Sequence, residues 1–182
     1  IQLAVFLWVS FLVIVCFGTA RANIFNNPSF EILQDPNQFG HAFADWNGWV
    51  YAQPGRLAVG NIDHSGKHSY EISGDLGGLV RLQSKKIALS KGRYHVRFYL
   101  RGMSVGKGQW NRPLDFSIRL SNKFLAINKT GTFGWTPVDY VFDLEEPIED
   151  FQLFIGLLGG GWLWIDDVLL ERVTDLVPVT TE

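Results

Sequence analysis

Beyond residue 22 the chain alternates apolar and polar residues with a period of two, in short runs broken by glycine, asparagine, aspartate, serine and proline. Arg93–Arg101 (RYHVRFYLR) sets Tyr94, Val96, Phe98 and Leu100 on one face and His95, Arg97, Tyr99 and Arg101 on the other. Successive side chains of a strand point to opposite faces, so this run predicts a strand with one buried face. Asp115–Leu120 repeats the pattern with Phe116, Ile118 and Leu120 against Asp115, Ser117 and Arg119. Val138–Leu144 repeats it with Val138, Tyr140, Phe142 and Leu144 against Asp139, Val141 and Asp143. Ser69–Ile72, Val80–Gln83 and Lys86–Leu89 are shorter strand candidates. Phe151–Leu157 and Trp162–Glu171 are apolar on both parities, as expected of strands covered on both faces or carrying a ligand surface on one. Breakers such as Asp75-Leu76-Gly77-Gly78, Ser90-Lys91-Gly92 and Gly159-Gly160-Gly161 separate the runs. No 3.6-residue period is sustained after Ala22 and no repeat is evident. Many short strands at this spacing predict an all-β sandwich or jelly roll.

The N-terminus departs from this pattern. Leu3–Phe17 is apolar apart from Ser10 and is followed by Ala20-Arg21-Ala22, the apolar core and small-x-small site of a secretory signal. Residues 1–22 are therefore expected to be a signal peptide cleaved after Ala22. The alternative is a retained hydrophobic helix anchoring the chain through residues 1–20, which are about long enough to span a bilayer. Both readings place the rest beyond a membrane, secreted, periplasmic or tethered. Residues 23–173 suit one domain with a single core, and residues 174–182 (TDLVPVTTE) read as a tail or linker.

Charge and cysteine usage narrow the possibilities. The formal net charge is −2 and no basic patch is visible, which argues against nucleic acid as a partner. The one cysteine, Cys16, lies within the apolar segment, and Val13-Ile14-Val15 before it lacks the small residues of a lipidation site. A secreted domain without disulfides relies on its core or on a bound ion. No nucleophile elbow, phosphate loop or Ser-His-Asp arrangement is recognisable. Glu145, Glu146, Glu149 and Asp150 surround Pro147 in a solvated connection rather than forming a glycosidase pair. His64 and His68 have the spacing of a helical zinc pair, but Ser-Gly-Lys between them is a turn. These features predict a protein that is not an enzyme. Asn128-Lys129-Thr130 is a glycosylation sequon that has meaning only in a eukaryotic secretory pathway, and Pro28 excludes Asn27-Pro28-Ser29.

Five segments, in order, carry a resemblance: Asn27-Pro28-Ser29-Phe30-Glu31, Trp46-Asn47-Gly48-Trp49, His64-Ser65-Gly66-Lys67-His68-Ser69-Tyr70, Lys91-Gly92-Arg93-Tyr94, and Trp164-Ile165-Asp166-Asp167-Val168-Leu169-Leu170. Together they resemble carbohydrate-binding modules of families 4, 9, 16 and 22, from Ile24 to about Arg172. The resemblance implies a galactose-binding-like jelly roll and a non-catalytic, lectin-like role for a polysaccharide or glycan partner. It also implies a structural Ca²⁺ ion, held by the Glu31 and Asp166 carboxylates with main-chain oxygens of Ser29 and Lys67. Asp167 takes the place of Asp166 if the register is shifted by one. The alternative is an anchored structural or interaction subunit that uses the same sandwich for protein contacts in a membrane complex.

A sugar presents C–H patches that stack on flat rings and hydroxyls that need donors and acceptors at the rim. Exposed Trp and Tyr beside polar side chains are therefore the signal to seek. The chain has seven tryptophans, of which Trp8 lies in the apolar segment. Trp46, Trp135 and Trp164 are expected to pack into or against the sandwich. Trp49 lies on the parity opposite Trp46, with Tyr51 beside it, and Trp110 stands in a polar loop without apolar neighbours. Trp162 follows the triple glycine. With His95, Arg97 and Tyr99, on a strip expected beside Ser117 and Arg119, these form the candidate ligand-binding set.

Overall fold

The computed structural model describes residues 22–34, 42–52, 55–75, 78–108, 111–118 and 124–181. Residues 1–21 of the proposed signal or anchor, Gln109, Trp110 and Arg119 lie outside these residues. Among the described residues no helix is long and apolar enough to cross a membrane.

Twelve strands build the fold: β1 (Trp46–Ala52), β2 (Gly55–Gly60), β3 (Ser69–Gly74), β4 (Leu79–Ser84), β5 (Ile87–Leu89), β6 (Gly92–Val105), β7 (Leu114–Ile118), β8 (Phe124–Ile127), β9 (Gly131–Leu144), β10 (Ile148–Phe151), β11 (Leu153–Leu157) and β12 (Gly161–Val173). They form two five-stranded antiparallel sheets, β1-β4-β11-β7-β8 and β2-β3-β12-β6-β9, and a small β5-β10 pair. The inner faces of the two large sheets make one core. On β6 the alternation resolves as the sequence predicts, with Tyr94, Val96, Phe98 and Leu100 buried. Leu163, Ile165, Val168 and Leu170 of β12 continue that layer, and Val80, Leu82, Leu153 and Ile155 face it from the other sheet. Burying each such side chain contributes about 1.5–3 kcal/mol, so the core rather than any crosslink stabilises the domain.

Sheet membership differs from one expectation. β6 lies between β12 and β9, whereas β7, which carries Ser117, pairs with β11 and β8 in the opposite sheet. The polar strip of β6 therefore does not adjoin Ser117. Alternation fixes which face a side chain takes, but pairing between strands distant in sequence decides which neighbour it meets. β2 and β8 carried weak signals, since Gly55–Gly60 offers mostly small residues and Phe124–Ile127 only four positions.

The N-terminal motif closes one end of the sandwich. Asn27 is buried; its Nδ2 donates to the Ile32 and Ala44 carbonyls (3.1 Å each), its Oδ1 accepts from Ile32 N–H (3.0 Å), and its carbonyl accepts from Trp46 Nε1 (2.8 Å). Phe30 packs against Trp46, Phe43 and Tyr70 at centroid distances of 5.1–5.7 Å. Phe30 has φ of 56°, unusual for a non-glycine residue, and the bonds around Asn27 hold the turn that requires it. At the other terminus, Arg93 donates to the Asp175 and Val177 carbonyls, and Thr180 exchanges bonds with the Val141 backbone, so residues 174–181 lie along β9.

Candidate functional site

Two sets of candidate residues fall in different places. The first gathers at the turn between β2 and β3. β12 carries a bulge between Asp166 and Leu169, with Asp167 at φ 48°, and both aspartates reach this turn. Asp166, fully buried, accepts from the N–H groups of His64 (2.7 Å), Ser65 (3.1 Å) and Asp167 (2.7 Å). Burial outweighs these bonds and pushes its carboxyl up to about 6. Asp167 accepts from the hydroxyls of Ser29 and Ser65 (2.6 Å each) and contacts His64 Nδ1 at 2.6 Å. Burial raises its carboxyl, but the bonds from His64, Ser29 and Ser65 prevail and hold it below the ordinary value.

Glu31 Oε1 accepts from the N–H groups of Lys67 (2.8 Å) and His68 (3.0 Å). Gly66, at φ +75°, lies against the same carboxylate; a Cβ there would run into Glu31. The structure thus brings Ser29, Glu31, Lys67 and Asp166 to one turn, with Asp167 among them. Asp166 and Asp167 meet the turn at His64 and Ser65, and Glu31 meets it at Lys67 and His68. Among the described residues no group of three or more His, Cys, Asp or Glu side chains is placed to hold a metal ion, and His64 is the one basic side chain paired with any of these carboxylates. Neither the Ser29 nor the Lys67 carbonyl oxygen is taken up by a described N–H group. Carboxylate and carbonyl oxygens are the donor types that a hard cation takes. The carboxylates also have backbone donors of their own, which hold them in place without an ion.

The second set divides between opposite outer faces. On β1, Trp46 and Gly48 are buried, while Trp49 and Tyr51 are exposed by 47% and 58%. Register places Trp49 opposite Arg81 of β4, Arg81 opposite Gly156 of β11, and Gly156 opposite Asp115 of β7. The Arg81 guanidinium reaches across Gly156 to Asp115 Oδ2 at 3.0 Å and lies 5.8 Å from the Tyr51 ring centroid. Gly156 makes this possible, because a Cβ would collide with Asp115 Oδ1. Burial pushes the Asp115 carboxyl up despite the pull of Arg81 and Arg112. Its Oδ1 is buried with no hydrogen-bond partner among the described residues. Asn47 and Gln83, paired in the next row, add amide donors and acceptors to the same face. Exposed rings beside a fixed charge pair and two amides can stack on a sugar and bond its hydroxyls. Asn47, Arg81, Gln83 and Asp115 were not singled out from the sequence. Their signal was parity, since each lies on the strand face opposite the apolar residues.

His95, Arg97 and Tyr99 project from β6 on the outer face of the other sheet. The polar groups of His95 and Arg97 are engaged with neighbouring carboxylates, and the Tyr99 ring is covered. His95 contacts Asp139 (2.8 Å) and Glu171 (3.3 Å), Arg97 Nε donates to Asp139 (2.6 Å), and Tyr99 stacks on His64 at 3.7 Å between centroids. Burial raises the Asp139 carboxyl, but bonds from His95 and Arg97 bring it below the usual range. Trp162, exposed by 42%, lies on this sheet as well. The structure therefore joins Trp49 with Tyr51, and separates both from His95, Arg97, Tyr99 and Trp162. Of the remaining tryptophans, Trp46 is core, Trp164 is buried with Nε1 donating to Glu71, and Trp135 is half-buried with Nε1 donating to the Asp63 carbonyl.

No protein-family model and no curated protein matches the chain. Solved structures do. They include TmCBM61 in complex with β-1,4-galactotriose, at 17% identity, covering 84% of this chain and 99% of that one with a TM-score of 0.55. A family 4 carbohydrate-binding module matches at 14% identity, over 81% and 99%, with a TM-score of 0.54. The C-terminal family 22 module of Clostridium thermocellum Xyn10B matches at 12% identity, over 83% and 94%, with a TM-score of 0.50. At these identities the likeness speaks for architecture alone: the chain shares the β-sandwich fold of these carbohydrate-binding modules.

Proposed function

We propose that this protein is a non-catalytic carbohydrate-binding module whose glycan lies across the outer face of the β1-β4-β11-β7-β8 sheet. The observation that carries the reading is exposed Trp49 in register with Arg81 of the Arg81–Asp115 bridge, with the exposed ring of Tyr51 beside the same guanidinium. In this reading the indole and phenol stack on the C–H faces of successive sugar rings. Arg81, Asn47 and Gln83 supply donors, and Asp115 fixes the guanidinium so that little freedom is lost on binding. The bound β-1,4-galactotriose of TmCBM61 supports a saccharide as the ligand of this fold. Because Asp115 already neutralises Arg81, the face suits a neutral polysaccharide. Titration of the protein with soluble neutral polysaccharides such as galactan, xylan and β-glucan tests this. Saturable binding to one class, lost in Trp49→Ala, is expected; a blank panel from a folded protein rejects the reading.

The same proposal includes a structural Ca²⁺ at the β2–β3 turn, with Glu31 and Asp166 as carboxylate ligands and Ser29 and Lys67 giving carbonyl oxygens. The ion would offset the charge of the buried Asp166 and join the first segment to the last strand, contributing stability and no chemistry. Chelation is then expected to lower the melting temperature by about 5 °C or more. An unchanged melting temperature counts against the ion. Export is part of the proposal too, with residues 1–22 as its signal; the N-terminal residue of the protein recovered outside the cell, Asn23 if cleaved, decides it.

A further inference from the structure

The outer face of the β2-β3-β12-β6-β9 sheet has two halves of different character. Toward the C-terminal end of β12, arginines are spent on carboxylates: Arg93 on Asp143 (2.7 Å) and Arg97 on Asp139 (2.6 Å). Toward its N-terminal end they are not. Trp162 lies opposite Met103 on β6 and Ser73 on β3, and Ser73 lies opposite Arg56 on β2. One row away, Arg101 lies opposite Trp164, which makes it the diagonal neighbour of Trp162. Neither Arg56 nor Arg101 forms an ion pair or hydrogen bond through its guanidinium with a described residue. The carboxylate in the same rows, Glu71, accepts from Trp164 Nε1 at 3.0 Å. Two uncommitted cations thus stand against one acid, around an indole exposed by 42% and a methionine exposed by 41%.

The backbone that carries the ring is closely packed. Gly161 has φ +111°, and a Cβ there would sit 2.6 Å from the Ser104 carbonyl oxygen. The adjacent Ser104, near the end of β6, has φ 53°, and Gly106 N–H donates to the Gly160 carbonyl at 2.9 Å. This packing fixes where β12 begins and so where Trp162 projects.

We propose that this half-face is a second saccharide site, selective for anionic sugars bearing carboxylate or sulfate groups, which makes the module bivalent. The indole supplies a stacking platform, and Arg56 and Arg101 supply the planar, forked donors that match oxyanions. A protein partner is disfavoured by size: Trp162 and Met103 are the large exposed apolar side chains of this patch, against the about 800 Å² per partner of a stable protein interface. The site shares no residue with the Trp49 face, so it stands independently of the neutral-glycan reading.

The test is calorimetric titration of the protein and its variants with oligogalacturonate, heparin-derived oligosaccharide and a neutral oligosaccharide. Binding of at least one anionic probe is expected, weakening as salt rises from about 50 to about 200 mM. It should fall at least tenfold in Arg101→Gln and in Trp162→Ala and stay unchanged in Trp49→Ala. Which probe binds tells carboxylate from sulfate. Arg101→Gln and Arg56→Gln leave the indole in place, so a folding defect confined to Trp162→Ala does not decide the matter. No saturable binding of either anionic probe overturns the proposal. Binding that is indifferent to Arg101 and Arg56, or lost in Trp49→Ala, overturns it equally. Failure of the neutral probe alone bears on the first site and leaves this one standing.

Discussion

The sandwich presents two outer faces with similar inventories and different availability. Each carries aromatic rings, arginines and acids. On the β1-β4-β11-β7-β8 face, one buried bridge between Arg81 and Asp115 braces the floor, and the rings of Trp49 and Tyr51 are left exposed. On the β6–β9 part of the other face, half-exposed pairs consume the charges, and Tyr99 is covered by His64. Counting sugar-binding residue types would rate the faces alike. What separates them is which groups already have partners, and whether the pairing orders a surface or closes it.

The sharpest way to break this comparison is to cut one bridge on each face. Asp115→Ala leaves the Arg81 cation largely buried without its carboxylate, and should cost about 3 kcal/mol in urea unfolding. Asp139→Ala removes a carboxylate whose side chain is 43% exposed and should cost about 0.5 kcal/mol. Equal losses would mean that the two faces do not differ as described. Between these in size stands Trp49→Ala. It should weaken neutral-glycan affinity at least tenfold, about 1.4 kcal/mol, while shifting unfolding by less than about 0.5 kcal/mol.

The smallest effect is in pH, where the two bridges have opposite signs. Asp115 is raised by burial, so its charged form costs stability at neutral pH. That cost is relieved as the pH falls through the folded value toward the unfolded value of about 3.9. Asp139 is held low, so its contribution is present above about 3.9 and is lost as the pH falls through its lower folded value. Relative to Asp115→Asn, the parent protein should therefore gain on acidification above about pH 4; relative to Asp139→Asn, it should lose below it. Urea titrations between pH 7 and 3 read both, and a common sign would contradict the assignment.

The amount legible in the sequence follows from this physics. The buried face of β6, the core role of Trp46 and the exposure of Trp49 were all local facts, fixed by parity within a single strand. The early motif was legible as well, and its reason emerges in the hydrogen bonds that Asn27 makes around the turn carrying Phe30 and Glu31. The floor beneath Trp49 was not legible. Arg81, Gly156 and Asp115 come from three strands widely separated in sequence, and only register brings them into one row. For the same reason the strip of His95, Arg97 and Tyr99 seemed to belong with the aromatics of β1, although the two lie on opposite sheets.

The most direct test of the central claim is affinity for a panel of neutral polysaccharides, measured for the purified protein and for Trp49→Ala at matched folding. The account predicts saturable binding to one polysaccharide class and its loss in the variant. Binding of equal strength in the two proteins, or none in either, would contradict it.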